Sequence, residues 1–144
     1  MKAVVTLIGL ALAFSVTTAS AADTKPYTEG PVMEVSFVKT KPGKFEAYMQ
    51  YLDTTYKQIM EASKKAGLIV DYAVYSASPR SLQDPDIILT VVYANMAALD
   101  KSDEAEAVAE KIAGSMDAQS KAAIDRESLR EVLGSELTRQ LILK

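Results

Sequence analysis

The chain has 144 residues, a formal net charge of −3, and neither histidine nor cysteine. These two residue types carry most neutral-pH catalysis and transition-metal binding, so a Ser-His-Asp triad, a cysteine nucleophile, zinc sites and disulfides are excluded. We therefore predict neither a metal nor a cofactor. No stretch of the sequence is markedly basic, which argues against nucleic acid as a partner.

The first 22 residues have the three-part pattern of a secretory signal peptide. Lys2 supplies a positive charge, residues 3–16 are apolar and uncharged, and a run of small residues follows. The small residues predict cleavage before Ala22 or Asp23. A membrane anchor is the alternative, but the apolar run is shorter than the ~20 residues of a spanning helix. We expect a periplasmic or secreted protein with no membrane attachment after cleavage.

The rest of the chain has the length of one domain with its own core. Residues 23–30 are polar and predict a flexible leader, so that the domain comprises residues 31–144. Residues 32–38 alternate between apolar and polar side chains and predict a first strand.

A long amphipathic helix is predicted after the turn signal Pro42-Gly43. Apolar side chains recur at steps of three and four, which indicates one continuous buried face. Gly67 suits the end of this helix because glycine readily adopts the left-handed conformation found there. The face comprises Phe45, Tyr48, Met49, Leu52, Tyr56, Ile59 and Met60.

Further strands and helices complete the pattern. Residues 68–75 and 87–94 predict strands, helical patterns follow at 103–116 and 120–133, and residues 137–143 predict a last strand. This order is that of the ferredoxin-like split βαβ fold, an α+β architecture with a four-stranded antiparallel sheet and helices on one face.

The third strand is apolar on both faces and needs cover on both sides. Because helices are expected on one face only, we predict a homodimer in which two sheets pack face to face as a dimeric α+β barrel.

Two short motifs resemble the dimeric α+β-barrel superfamily, which includes antibiotic-biosynthesis-monooxygenase-like and NIPSNAP-like domains. Residues 38–45 (VKTKPGKF) look like the approach to its long first helix, and residues 93–100 (YANMAALD) look like the end of its third strand. The resemblance covers roughly residues 31–143 and implies the ferredoxin-like fold. Many members carry a histidine shortly after the second motif, where this chain has Lys101 and Ser102, so no catalytic set is implied.

Five residues are candidate ligand contacts. Tyr48 on the helix, with Tyr72 and Tyr93 on neighbouring strands, would line a pocket suited to a flat apolar ligand, or else belong to an ordinary core. Arg80 lies in a predicted loop, where it pairs with a ligand carboxylate or stays solvated. Asn95 either binds a substrate carbonyl or caps the short helical turn after it.

The C-terminal part of the sequence is rich in charged residues that predict an ion-pair network, either at the C-terminal end or at the dimer contact, of the kind that is usually structural or solvated. These residues are Arg126, Arg130, Glu131, Glu136 and Arg139.

Two functions fit these observations. The first is an exported homodimer that binds a small apolar ligand without metal chemistry. The second is a cofactor-independent monooxygenase or isomerase acting on a small aromatic or polyketide-type molecule, in which the protein supplies orientation and a few hydrogen bonds. A haem site with Tyr, Met or Lys as axial ligand is a minor alternative, since the haem-binding branches of the superfamily generally use a proximal histidine.

Overall fold

The structure is a computed structural model that describes residues 25–144. The predicted signal peptide lies outside the described residues. The strands are β1 (Tyr27–Thr40), β2 (Asp71–Ser76), β3 (Ile87–Tyr93) and β4 (Arg130–Leu143). The helices are α1 (Phe45–Tyr51), α2 (Lys57–Lys65), α3 (Ser102–Ala113) and α4 (Met116–Glu127), with a π-helical segment (Leu52–Tyr56) and a 3₁₀ turn (Met96–Asp100). The first helix, the π segment and α2 follow one another directly and are called the long helix.

The four strands form one antiparallel sheet in the order β2-β3-β1-β4. In the register of the sheet, Glu34 of β1 lies opposite Val91 of β3 on one side and Leu137 of β4 on the other. Tyr72 of β2 lies opposite Val91 from the far side of β3. This arrangement confirms the predicted α+β fold with a four-stranded antiparallel sheet.

The core lies between the long helix and one face of the sheet. Val38 and Ile87 of the sheet and Tyr48 and Leu52 of the helix are 1%, 0%, 2% and 3% exposed. Tyr48 and Leu52 are four residues apart and therefore project from the same side of the helix. Burial of each such side chain contributes ~1.5–3 kcal/mol, which makes this contact the main support of the fold.

The π segment changes the middle of the long helix. A π-turn closes over more residues than an α-turn, and such segments often occur at functional sites. The hydroxyl of Thr54 donates a hydrogen bond to the backbone carbonyl of Gln50 (2.8 Å) within this segment. Leu52 and Tyr56, at its two ends, both pack toward the core.

The other face of the sheet carries apolar side chains on the side opposite to the helices. Met33 lies across from Val92, and Phe37 lies across from Ile88. These four side chains and Val35 between them are only partly buried within one chain. They form what we call the open face.

Two predicted boundaries are corrected by the structure. Tyr27 pairs with Leu143, so residues 27–30 belong to β1 rather than to a flexible leader. Residues 130–133, predicted as the end of a helix, form the start of β4, and Val132 pairs with Val38. In both places a partner strand distant in sequence supplies the backbone hydrogen bonds, and this outweighs the local pattern. Within residues 25–144, no helix combines the length and the apolar character needed to cross a bilayer.

Candidate functional site

A cavity of about 370 Å³ separates the long helix from α3 and α4. Neither α3 nor α4 has a fully buried residue. Several of the side chains that they turn toward the cavity are small, including Ala113 and Ala122, and small side chains leave the space unfilled. We call this space the helical cavity. Its lining comprises Tyr51, Thr55, Ile59, Ile112, Ala113, Gln119, Ala122, Asp125 and Arg126.

A second cavity of about 250 Å³ lies between α2, β3 and the 3₁₀ turn, and we call it the sheet cavity. Tyr93 and Val91 line it from the sheet, and Leu99 lines it from the 3₁₀ turn. Ile59 lines both cavities, so the two spaces are neighbours along the long helix.

Two tyrosines and two arginines form a layered cluster beside the helical cavity. The rings of Tyr48 and Tyr51 stack with centroids 5.9 Å apart and planes inclined by 21°. The guanidinium of Arg126 lies 4.7 Å from the centroid of Tyr51, and that of Arg130 lies 5.9 Å from the centroid of Tyr48. Burial raises the pKa of Tyr48 above the ordinary phenol value, although the nearby Arg130 opposes the rise. Tyr48 is therefore a neutral phenol at physiological pH.

This cluster replaces part of the predicted C-terminal ion-pair network. Arg139 does form an ion pair, but its partner is Glu29 of β1 (2.8 Å) rather than a carboxylate of β4. Arg126 and Arg130 stack on tyrosine rings instead. Among the described residues, the five predicted members of the network form no ion pairs with one another, and a network at the dimer contact stays a prediction.

Three polar side chains, Glu34, Tyr56 and Tyr93, lie between the long helix and the covered face of the sheet. The hydroxyl of Tyr93 donates a hydrogen bond to Glu34 (3.3 Å). The hydroxyl of Tyr56 is buried and has no hydrogen-bond partner among the described residues. Burial raises the pKa values of Tyr56 and Tyr93, and the negative charge of Glu34 adds to the rise. Both phenols are therefore neutral hydrogen-bond donors near a carboxylate.

Tyr72 lies on the edge strand β2, where it contacts the long helix. Its hydroxyl donates a hydrogen bond to Glu61 (2.7 Å), and its ring packs edge-on against Tyr56 with centroids 6.0 Å apart. Partial burial and the bond to Glu61 raise the pKa of Tyr72 to about 12. Tyr72 lines a separate cavity of about 200 Å³ together with Met49 and Val74.

Asn95 and Arg80 lie on the surface. The side chain of Asn95 accepts a hydrogen bond from the backbone N–H of Ala98 (3.2 Å) and so caps the 3₁₀ turn. The side chain of Arg80 is 93% exposed and contacts Asp84 (3.5 Å). Neither residue lines the cavities described above. The structure places Asn95 as the cap of the 3₁₀ turn and Arg80 as a solvated loop residue, which are the structural alternatives given in the sequence analysis.

The structure thus separates the predicted site residues. Tyr48 lies in the core, Tyr93 lines the sheet cavity and Tyr72 lines the cavity on the opposite side. The predicted set lacked Arg126 and Glu34, which lie at the helical cavity and beneath the long helix respectively. The alternation in β1 shows that Glu34 faces away from Met33, but only the packed helix shows that this is the covered face.

Within the described part of the chain, no group of three or more aspartate or glutamate side chains is placed to hold a metal ion. The side chains that line the two cavities include phenols, a carboxylate and a guanidinium. These groups can orient a ligand, donate hydrogen bonds to it and balance its charge.

No protein-family model and no curated protein sequence matches the chain. The structure is similar to a dimeric ferredoxin-like protein from an uncultured marine organism, with a TM-score of 0.51, 10% identity, and coverage of 81% of this chain and 90% of that one. It is also similar to HapK from Hahella chejuensis, with a TM-score of 0.50, 10% identity, and coverage of 76% and 91%. A candidate antibiotic biosynthesis monooxygenase from Chloroflexus aurantiacus has a TM-score of 0.42, 16% identity, and coverage of 76% and 92%, which is too distant to carry an argument.

At these identities the comparisons show the fold alone. The chain has the ferredoxin-like α+β fold, as the dimeric protein from the marine organism does, which confirms the predicted fold class. The resemblance seen in the sequence is confirmed at this level, and the activity is a separate question.

Proposed function

We propose that the protein is an exported homodimer that binds a small, flat, largely apolar molecule in the helical cavity without metal chemistry. The observation that carries the proposal is the cavity of about 370 Å³, whose lining combines an aromatic and aliphatic wall with several polar side chains. Ligand sites typically occupy roughly 300–1,000 Å³ and combine apolar walls with a small number of polar contacts. Tyr51, Ile59 and Ile112 supply the apolar wall, and Thr55 and Arg126 supply polar contacts.

The helical cavity fits this role better than the space predicted between helix and sheet. Tyr48 fills the middle of the latter, and the cavities that remain between helix and sheet are smaller, about 250 and 200 Å³. The sheet cavity lined by Tyr93 is smaller, but it adjoins the helical cavity at Ile59. In this proposal Tyr48 supports Tyr51 from behind, and Tyr93 lines an extension of the site.

The open face supports the homodimer. A sheet face with this many apolar side chains is covered in most stable proteins, and a second copy with the same face is a self-complementary cover. Met33, Phe37 and Ile88 would become core residues between the two sheets. One structure with the same fold is described as dimeric, which agrees with this arrangement.

Export rests on the sequence of the first 22 residues. Export is tested by expressing the full sequence, isolating the protein from the periplasm or the medium, and measuring its mass. We expect a chain that begins at Ala22 or Asp23, and a protein recovered only with Met1 would contradict the proposal.

A test of ligand binding uses 2-naphthamide, a flat neutral probe, titrated into the protein by calorimetry. We expect wild-type protein to bind it and Ala122→Phe to lose binding, because the larger side chain fills the helical cavity. Ala118→Phe is the matched control, since Ala118 lies on the same helix and is exposed. Absence of binding to wild type, or equal binding to both variants, would contradict the proposal.

Cofactor-independent oxidation or isomerisation is a second candidate, favoured by Glu34 and its two neighbouring phenols. A carboxylate can accept a proton from a substrate hydroxyl, and a neutral phenol such as Tyr56 can donate to the oxygen that becomes negative. Oxygen uptake with 1,4-dihydroxynaphthalene tests this role. We expect a rate above the uncatalysed one that falls in Glu34→Gln, whereas a rate equal to that without protein would leave ligand binding alone.

A further inference from the structure

We propose that the helical cavity selects an organic anion, an aromatic carboxylate, and that the guanidinium of Arg126 recognises it. This inference rests on the proposed function and names the class of its ligand. Arg126 lines the cavity and lies 4.7 Å from the ring centroid of Tyr51. Stacking on a ring uses the flat face of a guanidinium and leaves the N–H groups along its edge available, and these match a carboxylate in geometry.

The guanidinium of Arg126 has no acidic partner within residues 25–144 and can therefore pair with a ligand. In the part of the chain that the structure describes, no carboxylate lies within ion-pair distance of its guanidinium. Asp125 is the acidic residue of the cavity lining, and it is held in an ion pair with Lys121 (2.8 Å). The positive charge of Arg126 is therefore not neutralised by a neighbour in direct contact.

A second cation lies beside Tyr48, the other ring of this tyrosine pair. Arg130 is close to the ring of Tyr48, and its buried Nε has no hydrogen-bond partner among the described residues. Two guanidiniums thus flank two stacked rings. Because Asp125 of the lining is paired with Lys121, the charge of these guanidiniums favours an anion over a cation beside the rings.

The shape of the cavity specifies the rest of the ligand. The ring of Tyr51 and the side chains of Ile59 and Ile112 form apolar surface next to the guanidinium. A flat ring system can lie against this surface while its carboxylate meets Arg126. A saturated or cationic ligand of the same size would lose one of these two contacts.

The test compares 2-naphthoate with 2-naphthamide, which share one shape and differ in charge, by calorimetric titration. We expect wild-type protein to bind the naphthoate at least about tenfold more tightly, because a charge-assisted pair is stronger than a neutral hydrogen bond. Arg126→Gln should remove this preference, because it weakens binding of the naphthoate more than binding of the amide. Arg126→Lys should keep part of it, since the charge remains and the planar fork is lost.

Lys111→Gln is the control, because it removes one positive charge from an exposed position of α3. It should keep the preference for the naphthoate. If both probes bind equally to wild type, or if Arg126→Gln keeps the preference, the inference is overturned while the proposed function stands. If neither probe binds wild type, the proposed function itself fails. The melting temperature of each variant shows that it is folded, and the wild-type comparison decides the inference even if a variant is not.

Discussion

The two sides of the long helix differ in how their neighbours fill space. Toward the sheet, Tyr48 and Leu52 meet Val38 and Ile87 in close packing, and all four are buried. Toward α3 and α4, no residue of those helices is fully buried, and a cavity of about 370 Å³ remains. Large side chains on one side thus fix the fold, and small side chains on the other side keep a space in which a ligand can bind.

The largest expected effect is on stability. Leu52→Ala should lower the free energy of unfolding by about 2–5 kcal/mol, because it opens a cavity in close-packed surroundings. Ile112→Ala, on the side of the helical cavity, should cost only about 1 kcal/mol, because its side chain already borders empty space. Urea denaturation of both variants measures the contrast, and equal losses would show that the two sides are packed alike.

The next-largest effect is on dimer formation and concerns the open face of the sheet. Phe37→Asp should weaken the proposed homodimer roughly 100-fold or more, because association would bury an unpaired carboxylate. Sedimentation equilibrium measures the dimer constant. Phe37→Leu is the control and should remain dimeric. A wild-type protein that is monomeric at all concentrations would show that the open face has another role.

A smaller effect on stability distinguishes Tyr93 from Tyr56. Tyr93→Phe should cost about 1 kcal/mol, because Glu34 loses the hydrogen bond that it accepts. Tyr56→Phe removes a buried hydroxyl that has no partner in residues 25–144, so it should be neutral or slightly stabilising. Thermal denaturation compares the two variants. A larger loss from Tyr56→Phe would reveal that its hydroxyl has a partner in solution.

The smallest effect is a dependence on alkaline pH. The pKa of Tyr72 is raised to about 12 in the folded protein, against ~10 for a free phenol. The fold therefore favours the protonated phenol, and its contribution is complete below pH ~10 and is lost as the pH rises toward 12. Absorbance titration of tyrosinate should show several late-ionising groups, and the ionisation near pH 12 should decrease in Tyr72→Phe. A Tyr72 that ionises near pH 10 would contradict this assignment.

The sequence predicted the parts of the fold that depend on local spacing. The apolar steps from Phe45 to Met60 predicted the long helix and the burial of Tyr48. The π segment within that helix has no such pattern and was not predicted. The strand character of residues 27–30 and 130–133 depends on pairing between β1 and β4, and spacing along the chain does not show which distant residues meet.

The candidate site was predicted less well for the same reason. Tyr93 lines the sheet cavity, and its role as a ligand contact stays a prediction. The contact between Arg126 and Tyr51 joins two helices that are far apart in the sequence, so neither residue carries a local mark of it. Asn95 and Arg80 lie in predicted loops. The hydrogen bond of Asn95 to Ala98 and the ion pair of Arg80 with Asp84 account for their positions.

The most direct test of the account is a crystal structure of the protein, produced from its full sequence, grown with 2-naphthamide. We predict that the probe lies in the helical cavity, with its ring system beside Tyr51 and within contact of Ala122. A cavity closed by side chains, or a probe found only on the open face of the sheet, would contradict the claim that the loosely packed side of the long helix is the ligand site.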